Sequence, residues 1–427
     1  MVSTGRALRE ERRLLWLLAA LQFTHILDLM MISPLGPQFM RLWQLSAGEF
    51  GVLVAVYAVA AALAGIAASF VIDRFDRRSV LLAAYAGFTL STLACALAPG
   101  YASFLVTRGL AGVFGGVIGS IVMALVGDLI PVERRGRAMG LVMSAFPLVA
   151  VAGIPFGLWL GTHWGWQMPF FVLAATAVGL WCAILVIVPR VTAHMVAKVE
   201  MGVAAGGARL WHDFAALFRR KVHRQALLVM FIFTMSGYSV FPYLSAYYVA
   251  NVGIREAELA YVFFFGGLAT LITSRMIGRI ADARGKRPVF VVLAVASCLP
   301  ILVTTHLSAA PLWVLLIAST LFMVLVSGRF IPFMALTTMW VHAPMRGRFM
   351  SLSSAVQNLA SGVATVIAGA VIGQGPGGEL TRFDIVGDYA AALTVVAIFL
   401  VLRIQPTSTP LDPPTVHDAK TVGGSAS

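Results

Sequence analysis

The sequence predicts an all-α membrane protein, with twelve transmembrane helices arranged as two parallel six-helix repeats. Three observations predict it. The 427 residues are 59% hydrophobic and only 11% charged, with a mean hydropathy of +0.89, whereas a soluble chain of this length carries about 25% charged residues. Twelve apolar runs are long enough to cross roughly 30 Å of hydrocarbon as helices. One type of charged loop also recurs at the same place in two successive sets of six runs.

Residues 1–13 hold Arg6, Arg9, Arg12 and Arg13 and lead into the first run, 14–36. No small-residue cleavage site follows that run, so it reads as a retained span rather than a removed signal peptide. Runs near 49–71, 79–98, 102–126, 137–161 and 169–188 complete an N-terminal bundle, 14–188. Runs near 225–249, 257–280, 288–306, 312–340, 347–373 and 385–403 form a C-terminal bundle, 225–403. Between them lies a linker, 189–224. Its stretch "ARLWHDFAALFRRKV" (208–222) spaces Leu210, Phe214, Leu217 and Phe218 at helical intervals beside Arg219, Arg220 and Lys221. That pattern predicts a short helix on the membrane surface; a solvated linker is the competing reading. The Pro/Thr/Ser/Gly-rich tail, 404–427, is predicted to be disordered.

Charge placement sets the orientation. Alternate loops put 25 of the 31 Lys and Arg residues on the side of the termini, against Arg41, Arg255 and Arg382 on the other; Arg108, Arg275 and Arg329 fall within runs. The positive-inside rule then places both termini in the cytoplasm. The net charge of +13 does not point to nucleic acid, because the basic residues sit in short loops and form no stripe with interleaved aromatics. Cys95, Cys182 and Cys298 all lie inside apolar runs, giving neither a disulfide framework nor metal-type spacing. The eighteen methionines share no facing pattern and read as gap-fillers. No phosphate-cradling Gly-x4-Gly-Lys-Ser/Thr loop, metal-ligand helix motif or nucleophile elbow is present. Neither an enzyme nor a nucleotide-driven pump is expected, and no cofactor or metal site.

The recurring loop joins the second and third runs of each set. Asp73-Arg74-Phe75-Asp76-Arg77-Arg78 and Asp282-Ala283-Arg284-Gly285-Lys286-Arg287 have aspartates 282 − 73 = 209 positions apart. "RRGRAMG" (134–140) and "MRGRFMS" (345–351) repeat at 346 − 135 = 211. Two loops with nearly one offset indicate a duplicated unit, and six spans per unit keep both copies parallel.

These loops resemble motif A of the major facilitator superfamily. The second half carries the full pattern at Gly278, Asp282, Gly285, Lys286 and Arg287; in the first, Asp73, Arg77 and Arg78 match, while Ser69 and Asp76 replace the glycines. "RGLAG" (108–112) is similar to motif B, and "GIPFG" (153–157) loosely to the antiporter motif C, its Gly-Pro pair split by Ile154. With "LDLMMISPLGP" (27–37) and "WGWQMPFF" (164–171), the chain looks most like bacterial drug:proton antiporters and sugar- or nucleoside-efflux permeases of the inner membrane. The resemblance implies that a charge cluster of Asp73, Arg77, Arg78 and Asp128, with its second-half counterpart, holds the cytoplasmic side closed in an outward-open state. In the cluster, Asp73 is expected to cap a helix N-terminus.

Two deep charges carry the functional expectation. Asp28 lies 15 residues after Arg13, about 20 Å along a helix, where insertion of an aspartate costs roughly 2.5–3.5 kcal/mol. Arg108 reaches a similar level on the fourth span. Burial favours the neutral carboxyl and a neighbouring arginine the carboxylate, so a distance that changes between two conformations would couple proton binding to the cycle. A structural pair fastening two helices is the bland alternative. Arg329 is the other deep charge, read either as a snorkelling side chain or as an anion- or carbonyl-binding group. Gln22, His25, Tyr238, Ser354, Gln357, Asn358 and Ser361 complete the expected cavity wall. The expected protein is a monomeric, proton-coupled exporter of a small organic solute. A proton-coupled importer of a solute or metal, and a non-transporting sensor, are the alternatives.

Overall fold

The computed structural model describes residues 2–72, 75–191, 220–341 and 346–404. Among the described residues, twelve helical stretches are long and apolar enough to cross a membrane. The surface helix expected over 208–222 falls outside the described residues up to 219, as do Asp73 and the tail beyond 404.

The first half runs through α1 (Val2–Met31), a short α2 (Gly36–Leu42), α3 (Ala47–Val71), α4 (Arg77–Ala96) and α5 (Tyr101–Leu129). Ser46 starts α3 with a capping box: Glu49 N–H donates to Ser46 Oγ at 3.2 Å, and Ser46 N–H to Glu49 Oε2 at 2.9 Å. The fifth span is not one regular helix. It comprises α6 (Val132–Met143), α7 (Ala145–Leu148), a π-helical turn (Val149–Gly153) and α8 (Ile154–Trp164). Pro155 stands two residues after the wide turn, and a residue without an N–H suits a break in the hydrogen-bond ladder. The sixth span is α9 (Gln167–Ile187).

The second half repeats the plan with α10 (Lys221–Val240), α11 (Leu244–Tyr247), α12 (Leu259–Arg284), α13 (Lys286–His306), α14 (Leu312–Gly328), α15 (Phe330–Met339), α16 (Arg346–Val371) and α17 (Phe383–Arg403). Its seventh span is interrupted by a 3-10 turn at Phe241–Tyr243, where Pro242 sits, and ends in a π-helical turn at Tyr248–Val252. The tenth span breaks at Arg329, between α14 and α15. One element has no counterpart in the sequence reading. A two-strand antiparallel hairpin, β1 (Gly373–Gln374) with β2 (Leu380–Thr381), sits between the last two spans. Gly378, at φ +85°, makes its turn.

The two ends of the molecule differ in how the halves meet. At the end of α2 and the hairpin, a single apolar core joins both halves: Phe39, Phe50, Phe104 and Trp166 from the first, Tyr243, Phe263, Phe322 and Phe383 from the second. At the end bearing the basic loops, each half keeps a core of its own, one around Leu18, Tyr85 and Leu125, the other around Phe233, Phe290 and Phe333. Glycine permits close backbone contact at the end of α2 and the hairpin. A Cβ on Gly369 of α16 would lie 2.6 Å from the Ala47 carbonyl oxygen of α3, and one on Gly267 of α12 2.8 Å from the Ala150 carbonyl carbon. Polar links cross the same end: Arg41 Nη1 to Glu256 Oε1 at 2.5 Å, Gln374 Nε2 to Leu45 O at 3.0 Å and Tyr243 Oη to Ala47 O at 3.2 Å.

Toward the basic loops the same helix faces part. Met139 and Met143 precede Ala150 by eleven and seven residues, on the face that meets α12, yet are 41% and 53% exposed. A Cβ on Gly136, Gly140 or Gly278 would meet nothing within 4 Å. The halves therefore form a V, closed at the end of Arg41 and open at the end of the basic loops.

Candidate functional site

Asp28 and Arg108 meet inside the first half, 0% and 1% exposed. Arg108 Nη1 donates to Asp28 Oδ2 at 2.7 Å, and Nη2 to the Asp28 carbonyl oxygen at 3.2 Å. The guanidinium lies 4.5 Å from the ring centroid of Tyr57, on α3. Tyr57 Oη in turn shares a 3.0 Å hydrogen bond with His25 Nδ1, one turn from Asp28 on α1. Glycine makes the crossing possible: a Cβ on Gly112 would stand 2.9 Å from Tyr57 Cα, and one on Gly115 3.0 Å from the His25 ring. The "RGLAG" stretch thus supplies a charge at Arg108 and, one turn on at Gly112, the close approach that brings an aromatic ring against it.

Tyr57 does not stand among the residues expected from sequence. Its signal was modest, the one polar side chain in the apolar stretch "VLVAVYAVAAALAG" (52–65). Gln22 is also buried near this site, its Oε1 without a hydrogen-bond partner among the described residues.

Arg329 lies neither at a membrane boundary nor on a cavity wall. It is 1% exposed and turned into the second half, where Nη1 donates to Ser297 Oγ at 2.9 Å and Thr394 Oγ1 at 2.8 Å, and Nη2 to Ser236 Oγ at 3.0 Å. The hydroxyls pass the polarity on: Ser297 donates to the Ala294 carbonyl, Ser236 and Thr394 to that of Ala390. Four spans thereby share one cation without a carboxylate, and Phe233 covers it at 5.0 Å. An unmet N–H costs more in a buried cation than in a neutral group. Ser236→Ala with Ser297→Ala should therefore destabilise the protein by roughly 2 kcal/mol or more, seen as a lower midpoint of thermal unfolding in detergent.

The other expected cavity residues divide. Tyr238 packs against the cluster of Met235, Ala360 and Ala364, within the second half. Ser361 is buried and bonds the Asn358 carbonyl of its own helix at 2.8 Å. Gln357 Nε2 approaches Met334 Sδ at 4.0 Å. Ser354, two turns before Gly362, is exposed on the face of α16 that meets α3 further along, so it lies in the open cleft.

In the loop between the second and third spans, Arg77 Nε donates to Asp128 Oδ2 at 3.0 Å, and Arg78 Nη2 to the Leu185 carbonyl at 2.6 Å. The cap of α4 is Asp76; Asp73 lies outside the described residues. Asp76 accepts from the Val191 N–H at 2.7 Å, Ser79 N–H at 3.3 Å and Ser79 Oγ at 3.1 Å. Partial burial opposes its ionisation, but these bonds win and hold the carboxyl below its usual range. The cap contributes fully above the unfolded carboxyl value near 3.9 and is lost as pH falls through the folded value. Asp76→Ala should lower stability by about 1 kcal/mol at neutral pH, with the difference from wild type narrowing in acid, by thermal unfolding. In the second half Gly285 ends α12 at φ +91°, Asp282 is exposed, Lys286 opens α13 and Arg287 Nη2 bonds the Leu402 carbonyl.

Fold, duplicated halves and paired loops define a membrane transporter built of two helical bundles. A sequence model of the Major Facilitator Superfamily matches residues 18–272 and 226–423, and the chain belongs to that family. It is a multi-pass membrane transporter and not an enzyme. The inner membrane transport protein YdhP of Escherichia coli K12 is 24% identical over 384 residues, covering 88% of this chain and 92% of that protein. Multidrug resistance protein 2 of Bacillus subtilis strain 168 is 24% identical over 329 residues, covering 74% and 79%. The crystal structure of a D-xylose-proton symporter superposes with a TM-score of 0.74 at 17% identity, over 93% of this chain and 98% of that one, which shows the shared fold.

Proposed function

We propose that this protein is a proton-coupled exporter of a small organic solute, working by alternating access across the bacterial inner membrane. The observation that carries the reading is the fully buried Asp28–Arg108 pair. A carboxylate there is costly to insert, and the ion pair joins α1 to α5, which other contacts already hold together. Asp28 carries the proton and Arg108 tunes its release. The charge bias places the basic loops in the cytoplasm, so the V described above is the inward-open state. Closing it brings the basic-loop ends of α6 and α12 together, and the cluster of Asp73, Arg77, Arg78 and Asp128 with Gly278, Asp282, Gly285, Lys286 and Arg287 latches them in the outward-open state. Export is favoured by "GIPFG", which begins on the last residue of the π-helical turn of the fifth span, and by the likeness to a multidrug resistance protein. The test is transport in proteoliposomes under an imposed pH gradient, screening antibiotics, sugars and nucleosides with Asp28→Asn alongside. Solute movement that is gradient-driven in the wild type and lost in the variant supports the reading. Gradient-driven movement retained by the variant overturns it.

A further inference from the structure

We infer that Tyr57 is a positioning residue that makes the proton-loaded state of Asp28 attainable, by giving Arg108 a second partner. The inference rests on the coupling reading above. The starting point is a problem of charge. When Asp28 binds a proton, Arg108 loses the carboxylate that compensates it, yet remains almost wholly buried. An uncompensated buried guanidinium is costly. The polar and titratable groups beside the pair are Tyr57 on α3, Thr92 and Cys95 on α4, and His25 on α1 beside Asp28 itself. None of these is a second carboxylate. What stands over the cation is the π-face of Tyr57, 4.5 Å away, and an aromatic face holds a desolvated cation well.

The two ends of Tyr57 have separable duties. Its ring faces Arg108, and its hydroxyl bonds His25 Nδ1 at 3.0 Å, which fixes the ring in place. The crossing of α3 and α5 at Gly112 holds the Tyr57 backbone directly against α5, which carries Arg108 one turn away. Removing the ring should strengthen the reliance of Arg108 on ionised Asp28 and make protonation harder; removing only the hydroxyl should leave that balance nearly unchanged.

Protonation of Asp28 is read directly, with no substrate, from the infrared carbonyl band of a protonated carboxyl in reconstituted protein. Asp28→Asn assigns the band. We expect Tyr57→Leu to move the midpoint of the band about one pH unit lower, and Tyr57→Phe to move it by less than a third of that. An unchanged midpoint in Tyr57→Leu overturns the inference, as does an equal shift in Tyr57→Phe, which would make the hydroxyl the effective group. Should Tyr57→Leu misfold, Tyr57→Met and Tyr57→Trp take its place, the first shifting the midpoint and the second restoring it. Failure of the coupling reading shows separately, as gradient-driven transport that survives in Asp28→Asn while the band still responds to the ring.

Discussion

Asp28→Asn is expected to reduce concentrative transport to simple equilibration. One proton entering down a 100 mV potential and one pH unit supplies about 3.7 kcal/mol, enough to hold a neutral solute at a gradient of about 500-fold. Asparagine fills the same space and still accepts a hydrogen bond from Arg108, but it cannot exchange a proton in this pH range. The accumulated ratio should then fall toward one, while exchange of labelled solute across the membrane persists. The buried Asp28–Arg108 contact makes folding a fair concern, since removing one partner of a buried pair destabilises by about 3–5 kcal/mol. The conservative amide limits that loss, and elution of the purified variant as a single species separates misfolding from uncoupling. A variant that folds and still concentrates solute against a gradient would place the proton carrier elsewhere.

Gly267→Val is expected to have the second large effect, on conformation rather than coupling. A Cβ at this position of α12 would lie 2.8 Å from the Ala150 carbonyl carbon and 2.9 Å from the Val151 nitrogen. Both are backbone atoms, at the π-helical turn of the fifth span, and cannot rotate aside. Overpacking of this kind costs about 1–3 kcal/mol, a roughly 5- to 150-fold shift against the closed end. The readout is the distance between spin labels at Leu42→Cys and Arg255→Cys, both exposed at that end; these sites leave Arg41 and Glu256 unsubstituted. The labels should move from a short to a long population. An unchanged distribution would mean that the halves do not part along the α8–α12 side.

Much of this molecule was legible in its sequence. Length and period of the apolar runs specify twelve spans, and the loop repeat specifies their pairing into halves, because both follow from the bilayer's thickness and from duplication. The depths of Asp28 and Arg108 were readable by counting residues along two helices, since 1.5 Å per residue leaves little freedom. Direction around a helix was less readable. Arg329 sits at a depth that suits a cavity, yet its side chain turns toward Ser236, Ser297 and Thr394 on three other spans. Those hydroxyls are far apart in sequence and common in membrane helices, so nothing marked them as a set. Tyr57 was missed for the same reason: its partners Arg108 and His25 belong to other helices, and only the Gly112 crossing brings them together. In the loop between the second and third spans, Asp76 caps α4 because it stands directly before Arg77, and its carboxylate also reaches Val191, which follows the sixth span; Asp73, to which family likeness drew attention, lies outside the described residues.

The most direct test of the whole account compares proton binding by Asp28 in the two facing states. One sample is crosslinked shut through Leu42→Cys and Arg255→Cys; the other carries Gly267→Val, which favours opening at that end. The carboxyl band of Asp28, titrated by infrared spectroscopy, should show midpoints about one pH unit or more apart. Coincident midpoints in the crosslinked and the Gly267→Val samples would contradict coupling through Asp28.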